Sequence, residues 1–387
     1  MSTGTPLPPA VPSELQSELS VPTIARAERF VAVRNGGYFP TMFAEPGGAL
    51  AAVVRGGAPH VGLRSSLDLV RSTDGGRTWS APAHVVPPSP QWDSRGSASG
   101  AMRDGSLVVG FWENTQYRGE KFDPTVGGNV AFFTRSEDGG KTWSPKQPLP
   151  VAPLSAGYLY GRVVTLADGT ALMPLYGAKP NETVCWSALL RSRDGGRTWG
   201  DCSLIAYEFN EVTLLPMPHG RLLAFLRSET DGSVSMCESA DGGRTWDTPR
   251  QLTSRNQHPA DACRLASGHV LLTYGNRIGD LAVGAMLSRD GGRTWDREGR
   301  VVLARESLTL RGKWWCDTGY PSTVQVADGA IVTMYYRLGN TTLREDQQEL
   351  CRQYERDEFQ RPPAPDDMRR FEEAVVVRYR EEDLSRD

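Results

Sequence analysis

Short apolar runs, each cut off by a turn, dominate this chain. LAAVVR, SLVVGFWE, ALMPLY, RLLAFLR, HVLLTYGN and AIVTMYYR each follow a turn that contains Gly, and a more mixed apolar run precedes each turn. The full copies read YFPTMFAEPGGALAAVVR, DSRGSASGAMRDGSLVVGFWE, YLYGRVVTLADGTALMPLY, NEVTLLPMPHGRLLAFLR, DACRLASGHVLLTYGNR and GYPSTVQVADGAIVTMYYR. Asp-Gly, or another pair with Gly, stands at the turn, which is the strongest short-range signal for a β-hairpin. The pattern predicts six hairpins. A third strand follows five of them, as in SSLDLVRS, AFFTRS, SALLRS, SMCES and GAMLS. Long apolar stripes at helical spacing are missing, which argues against an all-α fold.

A second repeat is polar. STDGGRTWS, SEDGGKTWS, SRDGGRTWG, SADGGRTWD and SRDGGRTWD start at Ser72, Ser136, Ser192, Ser239 and Ser288. Asp-Gly-Gly needs a turn with positive φ available at Gly, and the Asp carboxylate can accept backbone N–H groups inside it. The Trp gives so small a turn a large apolar anchor. Four short strands per unit at a spacing of roughly 50 residues is the arithmetic of a β-propeller. The fold class expected is all-β: a six-bladed propeller with four-stranded antiparallel blades and five box turns. The sixth unit has no box. FEEAVVVRYRE near residues 371–381 supplies its outer strand in this reading, and AERFVAVR near 27–34 closes the ring. Residues 1–24 read as a flexible Pro-rich lead, residues 25–387 as one propeller, and the polar stretch at about 341–370 as an insertion on the last blade. Arg77, Lys141, Arg197, Arg244 and Arg293 recur in the boxes and read as solvated turn cations; no box Asp is assigned to catalysis.

Composition narrows the function. The chain has 387 residues with Gly 41, Pro 27 and Trp 10, as a turn-rich repeat fold requires. Net charge is −3, from 43 basic and 46 acidic residues with no basic block, so no nucleic-acid partner is expected. No apolar run reaches about 18 residues, so no membrane span is expected. The start MSTGTPLPPAVPSELQSELS has no basic, apolar leader pattern, so a cytoplasmic location is expected; a chain whose leader had been removed would be secreted and look the same. Cys185, Cys202, Cys237, Cys263, Cys316 and Cys351 show no metal-ligand spacing and read as reduced thiols, and no metal or organic cofactor is expected.

The box Ser-x-Asp-x-Gly-x-x-Trp, five times over, resembles the Asp-box repeats of the sialidase (neuraminidase) superfamily, over about residues 30–340. Asn210-Glu211 through Arg227 looks like the fourth-blade motif of that family, Arg277 in TYGNR matches a further Arg, and Tyr320 in GYPSTVQVADGAIVTMYY matches the Tyr that opens the last blade. The resemblance implies that Tyr320 is a nucleophile, that Glu211 activates it, and that Arg227 and Arg277 hold a substrate carboxylate. Two places depart from it. Tyr38-Phe39-Pro40 stands where the family has Arg-Ile-Pro, and His60 lies near the expected place of the acid/base Asp.

The residues themselves support part of this. Hairpin ends should meet at one mouth of a propeller, which gathers Tyr38, Asp93, Arg95, Tyr158, Tyr160, Glu211, His258, Asp261, Asp317 and Tyr320 from first strands and Arg55, Arg227 and Arg277 from second strands. A phenol with pKa about 10 needs a nearby carboxylate to take its proton. A neutral phenol also approaches an anionic sugar without the repulsion that a carboxylate would meet. Arg227 and Arg277 present planar forks to a carboxylate, and Arg55 or Arg95 replaces the missing clamp member. His60 is the first candidate general acid and Asp93 the second. Tyr38, His258, Asp261 and Asp317 are candidate sugar contacts. The expected function is a retaining, sialidase-like exo-glycoside hydrolase acting on a terminal acidic sugar. The alternatives are a propeller lyase or hydrolase on uronic-acid glycans and a non-catalytic glycan-binding propeller.

Overall fold

In the computed structural model, six small antiparallel sheets stand around a common axis as the blades of a propeller. The structure describes residue 18 and residues 20–58, 60–278, 281–306, 317–340 and 370–384. Blade 1 is built from Gly36–Ala44, Leu50–Gly56, Ser66–Ser72 and Ala83–Val86, in that order from the axis outward. Blade 2 begins with Asp93–Ala101 and Leu107–Asn114, blade 3 with Tyr158–Leu159 and Ala171–Gly177, and blade 4 with Phe209–Pro216 and Leu222–Ser228. Blade 5 begins with Gln257–Arg264 and Val270–Asn276, and blade 6 with Asp317–Gln325 and Ile331–Asn340.

The second strand of a blade is covered by the neighbouring blades on both faces. Leu50–Gly56, Leu107–Asn114 and Val270–Asn276 are buried at every position. That is why they read as nearly continuous apolar runs rather than alternating ones. Side chains from adjacent blades fill the spaces between them, as where Val54 and Val70 of blade 1 meet Met334 and Val376 of blade 6. Polar bonds between inner strands fix the order of the ring. Thr41 donates to the Ser97 carbonyl, Ser187 to the Asn210 carbonyl, Thr213 to the Ala260 carbonyl, and the Met42 N–H to Ser322.

Blade 6 is completed from both ends of the chain. Arg370–Tyr379 is its third strand, and Glu28–Arg34 pairs with it as the outermost strand. Just before this strand, the Ile24 N–H bonds to the Val302 carbonyl, and Val21 and Ile24 are buried against blade 5, so the lead is anchored from Val21 onward. The expected insertion at about 341–370 lies outside the described residues, apart from the start of the Arg370–Tyr379 strand. The four described cysteines, Cys185, Cys202, Cys237 and Cys263, are free thiols.

The five boxes share one hydrogen-bond plan. In the first, the Ser72 hydroxyl donates to Asp74 Oδ1 at 2.8 Å and accepts the Gly76 N–H at 2.9 Å. Asp74 Oδ1 also accepts the N–H groups of Arg77 and Thr78, and its Oδ2 accepts the Thr78 hydroxyl. The carboxylate is therefore the hub of the turn. Burial opposes its ionisation, but the Thr78 hydroxyl and the backbone donors outweigh burial and hold it down at about 2. Asp194 and Asp290 behave alike, and Asp138 and Asp241 are also held below the usual carboxylate range.

In the unfolded chain these carboxyls return to about 4. The stability they contribute is complete above that pH and is lost as pH falls toward about 2. Melting temperatures measured from pH 6 to pH 2.5 should therefore drop steeply below pH 4. Asp194→Asn should lower Tm by about 2–4 °C at pH 6 and flatten that acid slope; an unchanged slope would contradict the hub role.

Candidate active site

Every blade interrupts its innermost strand in the same way. In blade 1, Tyr38 pairs with Arg55 and Thr41 with Val53, so the inner strand spends one residue more than its partner. The same irregularity falls between Arg95 and Ala98, Phe209 and Val212, Gln257 and Ala260, and Gly319 and Ser322. Blade 3 breaks between Leu159 and Val164. These are β-bulges, which bend a strand and re-aim its side chains. Pro40, Pro259 and Pro321 lie in them, where a missing N–H costs no ladder bond. Phe39 and Tyr320 both take a φ of +52°, a conformation that costs a non-Gly residue about 1–3 kcal/mol. Gly96 takes +54° without that penalty.

The bulges deliver one residue per blade to a single cavity of about 590 Å³: Phe39, Gly96, Tyr160, Glu211, His258 and Tyr320. The size suits a ligand such as a sugar unit, since small-molecule sites run roughly 300–1,000 Å³. Arg95, Trp112, Tyr176, Arg227, Arg277, Asp317 and His60 complete the polar and aromatic wall.

Tyr320 is the most connected of these residues. Its hydroxyl donates to Glu211 Oε1 at 2.6 Å and accepts from Arg227 Nη1 at 3.4 Å. Arg227 Nη1 also bonds Glu211 Oε2 at 2.8 Å. The Tyr320 ring meets Phe39 edge-on at 4.7 Å and Tyr160 at 5.2 Å, which holds it in place. Burial raises the phenol well above its ordinary pKa, and the Glu211 charge raises it further, against the pull of Arg227 and Arg277. The resting group is thus a neutral phenol aimed at a carboxylate. Its proton has one acceptor within reach. A phenol in this state becomes a nucleophile only as it hands that proton over.

Arg277 is oriented by two acceptors. Its Nε donates to Asp317 Oδ1 at 3.0 Å, and its Nη1 bonds the His258 carbonyl. The Asp317 carboxylate also takes the Tyr336 hydroxyl, so Asp317 positions Arg277 instead of facing ligand freely. Burial alone would lower the pKa of Arg277, but the Asp317 carboxylate outweighs it and the guanidinium is held firmly charged. Burial, then Arg277 and Arg227, hold the His258 ring far below its ordinary pKa, hence neutral. Its Nδ1 finds no partner among the described residues. His60 stands on the cavity wall, its ring 5.0 Å from that of Phe39.

Four expected site residues lie elsewhere. Asp93 is fully buried and saturated: its carboxylate accepts Arg55, Ser65, the Gly62 N–H and Tyr117. It ties Gly62 and Ser65 of blade 1 to blade 2 and does not line the cavity. Arg55, 1% exposed, is consumed by Asp93 and by the Ala58, Gly62 and Ser94 carbonyls. Asp261 is a strut inside the ring, taking Arg162 and the Thr323 N–H. Tyr38 packs behind the wall against Phe39 and Tyr336, because the bulge turns Phe39 rather than Tyr38 toward the cavity. Sequence reasoning assigned no site role to Phe39, Trp112, Tyr176 or Asn256. The last of these precedes a bulge, and Trp112 and Tyr176 end second strands, at the positions equivalent to Arg55 and Arg227.

The family comparisons agree with this architecture. The family model for the BNR repeat-like domain matches residues 117–333, and that for the BNR/Asp-box repeat matches residues 70–81. A sialidase of Bacteroides fragilis (strain YCH46) is 23% identical over 226 residues, covering 52% of this chain and 41% of that relative. The chain thus spans about two fifths of the length of that relative. Among solved structures, a Dyadobacter fermentans protein of unknown function superposes with a TM-score of 0.68 at 23% identity, over 91% of this chain and 99% of the other. The intramolecular trans-sialidase of Ruminococcus gnavus, solved with oseltamivir carboxylate, gives 0.65 at 14% identity, over 93% and 98%. At such identities the superpositions speak for the fold, whereas the first family model covers more than half of the chain. The chain belongs to the BNR repeat-like domain family and has the fold of a six-bladed propeller.

Proposed function

We propose that this protein is a retaining glycoside hydrolase that removes a terminal acidic sugar, with Tyr320 as nucleophile. The observation that carries the reading is the 2.6 Å bond from Tyr320 to Glu211, braced by Arg227 at 3.4 Å. Arg95, Arg227 and Arg277 supply positive charge to one cavity, which favours an acidic ligand over a neutral one. The sialidases among its relatives support the substrate class.

The reaction then runs in two steps. Tyr320 Oη attacks the anomeric carbon as its proton passes to Glu211 Oε1. His60 gives a proton to the departing glycosidic oxygen. In the second step His60 takes a proton from water, the water oxygen attacks the same carbon, and Tyr320 leaves with the proton returned from Glu211. Two inversions give net retention. A neutral nucleophile avoids repulsion with the substrate's acid group, and Arg227 stabilises charge on the phenolic oxygen as it develops.

Aryl glycosides of sialic and uronic acids, in both anomeric forms, are the assay. Tyr320→Phe should lower kcat/KM by at least about 10³-fold and Glu211→Gln by about 10²–10⁴-fold. The first-formed sugar, followed by NMR, should keep the anomeric configuration of the substrate. Inversion, or full activity in Tyr320→Phe, would remove the Tyr from the mechanism.

A second expectation concerns pH. His258, held down by burial and by Arg277 and Arg227, stays neutral from pH 7 to pH 5. Nitrogen chemical shifts of its ring should therefore remain those of a neutral imidazole across that range; an imidazolium signal at pH 5 would show that its surroundings are wetter or less positive.

A further inference from the structure

The cavity's positive charge is unevenly spread. On the side of blades 4 to 6, Arg227 is paired with Glu211 at 2.8 Å and Arg277 with Asp317 at 3.0 Å. Two guanidinium groups there meet two carboxylates, and the charges cancel. On the side of blade 2 they do not. Arg55 takes Asp93 at 2.7 Å, and Arg95 reaches the same carboxylate only at 3.7 Å, with no hydrogen bond to any described residue. Two guanidinium groups share one carboxylate that is fully buried and already saturated. A surplus positive charge therefore rests on Arg95.

Arg95 is built to present that charge. Its guanidinium lies over the Trp112 ring, 4.9 Å from the centroid, and its side chain is 16% exposed, on the cavity wall. Burial disfavours its charged form, Asp93 favours it, and Arg55 works against it. A desolvated cation with an unfilled fork gains most from an anion brought to it.

Its place relative to Tyr320 matters as much. Blade 2 lies across the ring from blade 5, which carries Arg277, and two blades from Tyr320. Gly96 beside Arg95 packs against the Leu159 carbonyl, and Tyr160, the next residue, meets Tyr320 at 5.2 Å. The surplus charge and Tyr320 thus border one cavity, with Leu159 and Tyr160 on the same lining.

We propose that Arg95 is the anchor for the substrate's acid group, and that this group sits on a ring carbon other than the anomeric one, as in a hexuronic acid. A carboxylate on the anomeric carbon itself must lie beside Tyr320 Oη, where Arg227 and Arg277 each already face a carboxylate, of Glu211 and of Asp317. A carboxylate across the sugar ring reaches Arg95 while the anomeric carbon faces Tyr320. Trp112, under the guanidinium, fixes the plane of the fork, so the carboxylate is met bidentately. The inference takes the position of the anomeric carbon from the glycoside-hydrolase reading, whereas the anchor itself is a matter of binding and can be measured without turnover.

Calorimetric titration of the full chain with D-glucuronic acid, D-glucose and N-acetylneuraminic acid tests it. Wild type should bind glucuronate at least about tenfold more tightly than glucose, and more tightly than N-acetylneuraminate. Arg95→Met should abolish the preference over glucose, and Arg95→Lys should retain part of it. Melting curves of each variant keep loss of fold apart from loss of the anchor, and the Lys variant keeps the question open to measurement if the Met variant unfolds. No preference for glucuronate over glucose, a preference that survives in Arg95→Met, or tighter binding of N-acetylneuraminate would each overturn the proposal. A preference that depends on Arg95, without aryl release from any glycoside, would uphold the anchor and count against Tyr320 chemistry instead.

Discussion

The bulge in each innermost strand is the constraint from which the site follows. A regular strand would alternate its side chains between the two flanking blades and send none along the axis. One surplus residue in five blades, and a longer break between Leu159 and Val164 in blade 3, interrupt that alternation at one level of the ring. Glu211 and Tyr320, 109 residues apart in sequence, then meet at hydrogen-bond distance. The rest of each blade can be read as support for that level. Buried second strands hold the inner strands in register, and the box turns secure the outer rim.

Low dielectric is the second ingredient. Tyr320 and Glu211 are each 8% exposed, so every charge near them acts with little screening. In such a place a charge without a partner is expensive, and most are partnered: Arg227 with Glu211, Arg277 with Asp317, Arg162 with Asp261. The same rule explains the packing round Asp93, whose buried carboxylate meets four donors: Arg55, Ser65, Tyr117 and the Gly62 N–H.

Much of this was legible in the sequence because a propeller writes its strands as a repeat. The six hairpins, the five boxes and the closure of blade 6 by both ends of the chain all follow from counting turns and apolar runs. Tyr320, Glu211, Arg227 and Arg277 were legible for the same reason: they occupy equivalent points of successive units. Tyr38, Arg55, Asp93 and Asp261 misled because strand position says which end of a blade a residue occupies, not which way it points there. The bulge decides direction, and a shift of one residue exchanges Tyr38 for Phe39 as the side chain on the cavity. Prolines at Pro40, Pro259 and Pro321 were its visible trace. The division of charge between Arg95 and the balanced pairs depends on distances that no linear pattern encodes.

Closure of blade 6 by Glu28–Arg34 has a consequence for how the protein comes into being. Blades 1 to 5 can each form from chain that is contiguous, as soon as it is made. The last cannot, because its outermost strand, Glu28–Arg34, precedes every other described strand and its third strand, Arg370–Tyr379, follows them. Glu28–Arg34 must wait with an exposed pairing edge until Arg370–Tyr379 has been made. Pairing across so long a separation is slow and entropically costly. Tyr320 and Asp317 belong to the blade so completed, and the other cavity residues come from the five before it. Tyr320 is therefore secured in its blade only once Glu28–Arg34 and Arg370–Tyr379 have met, the step that also closes the ring.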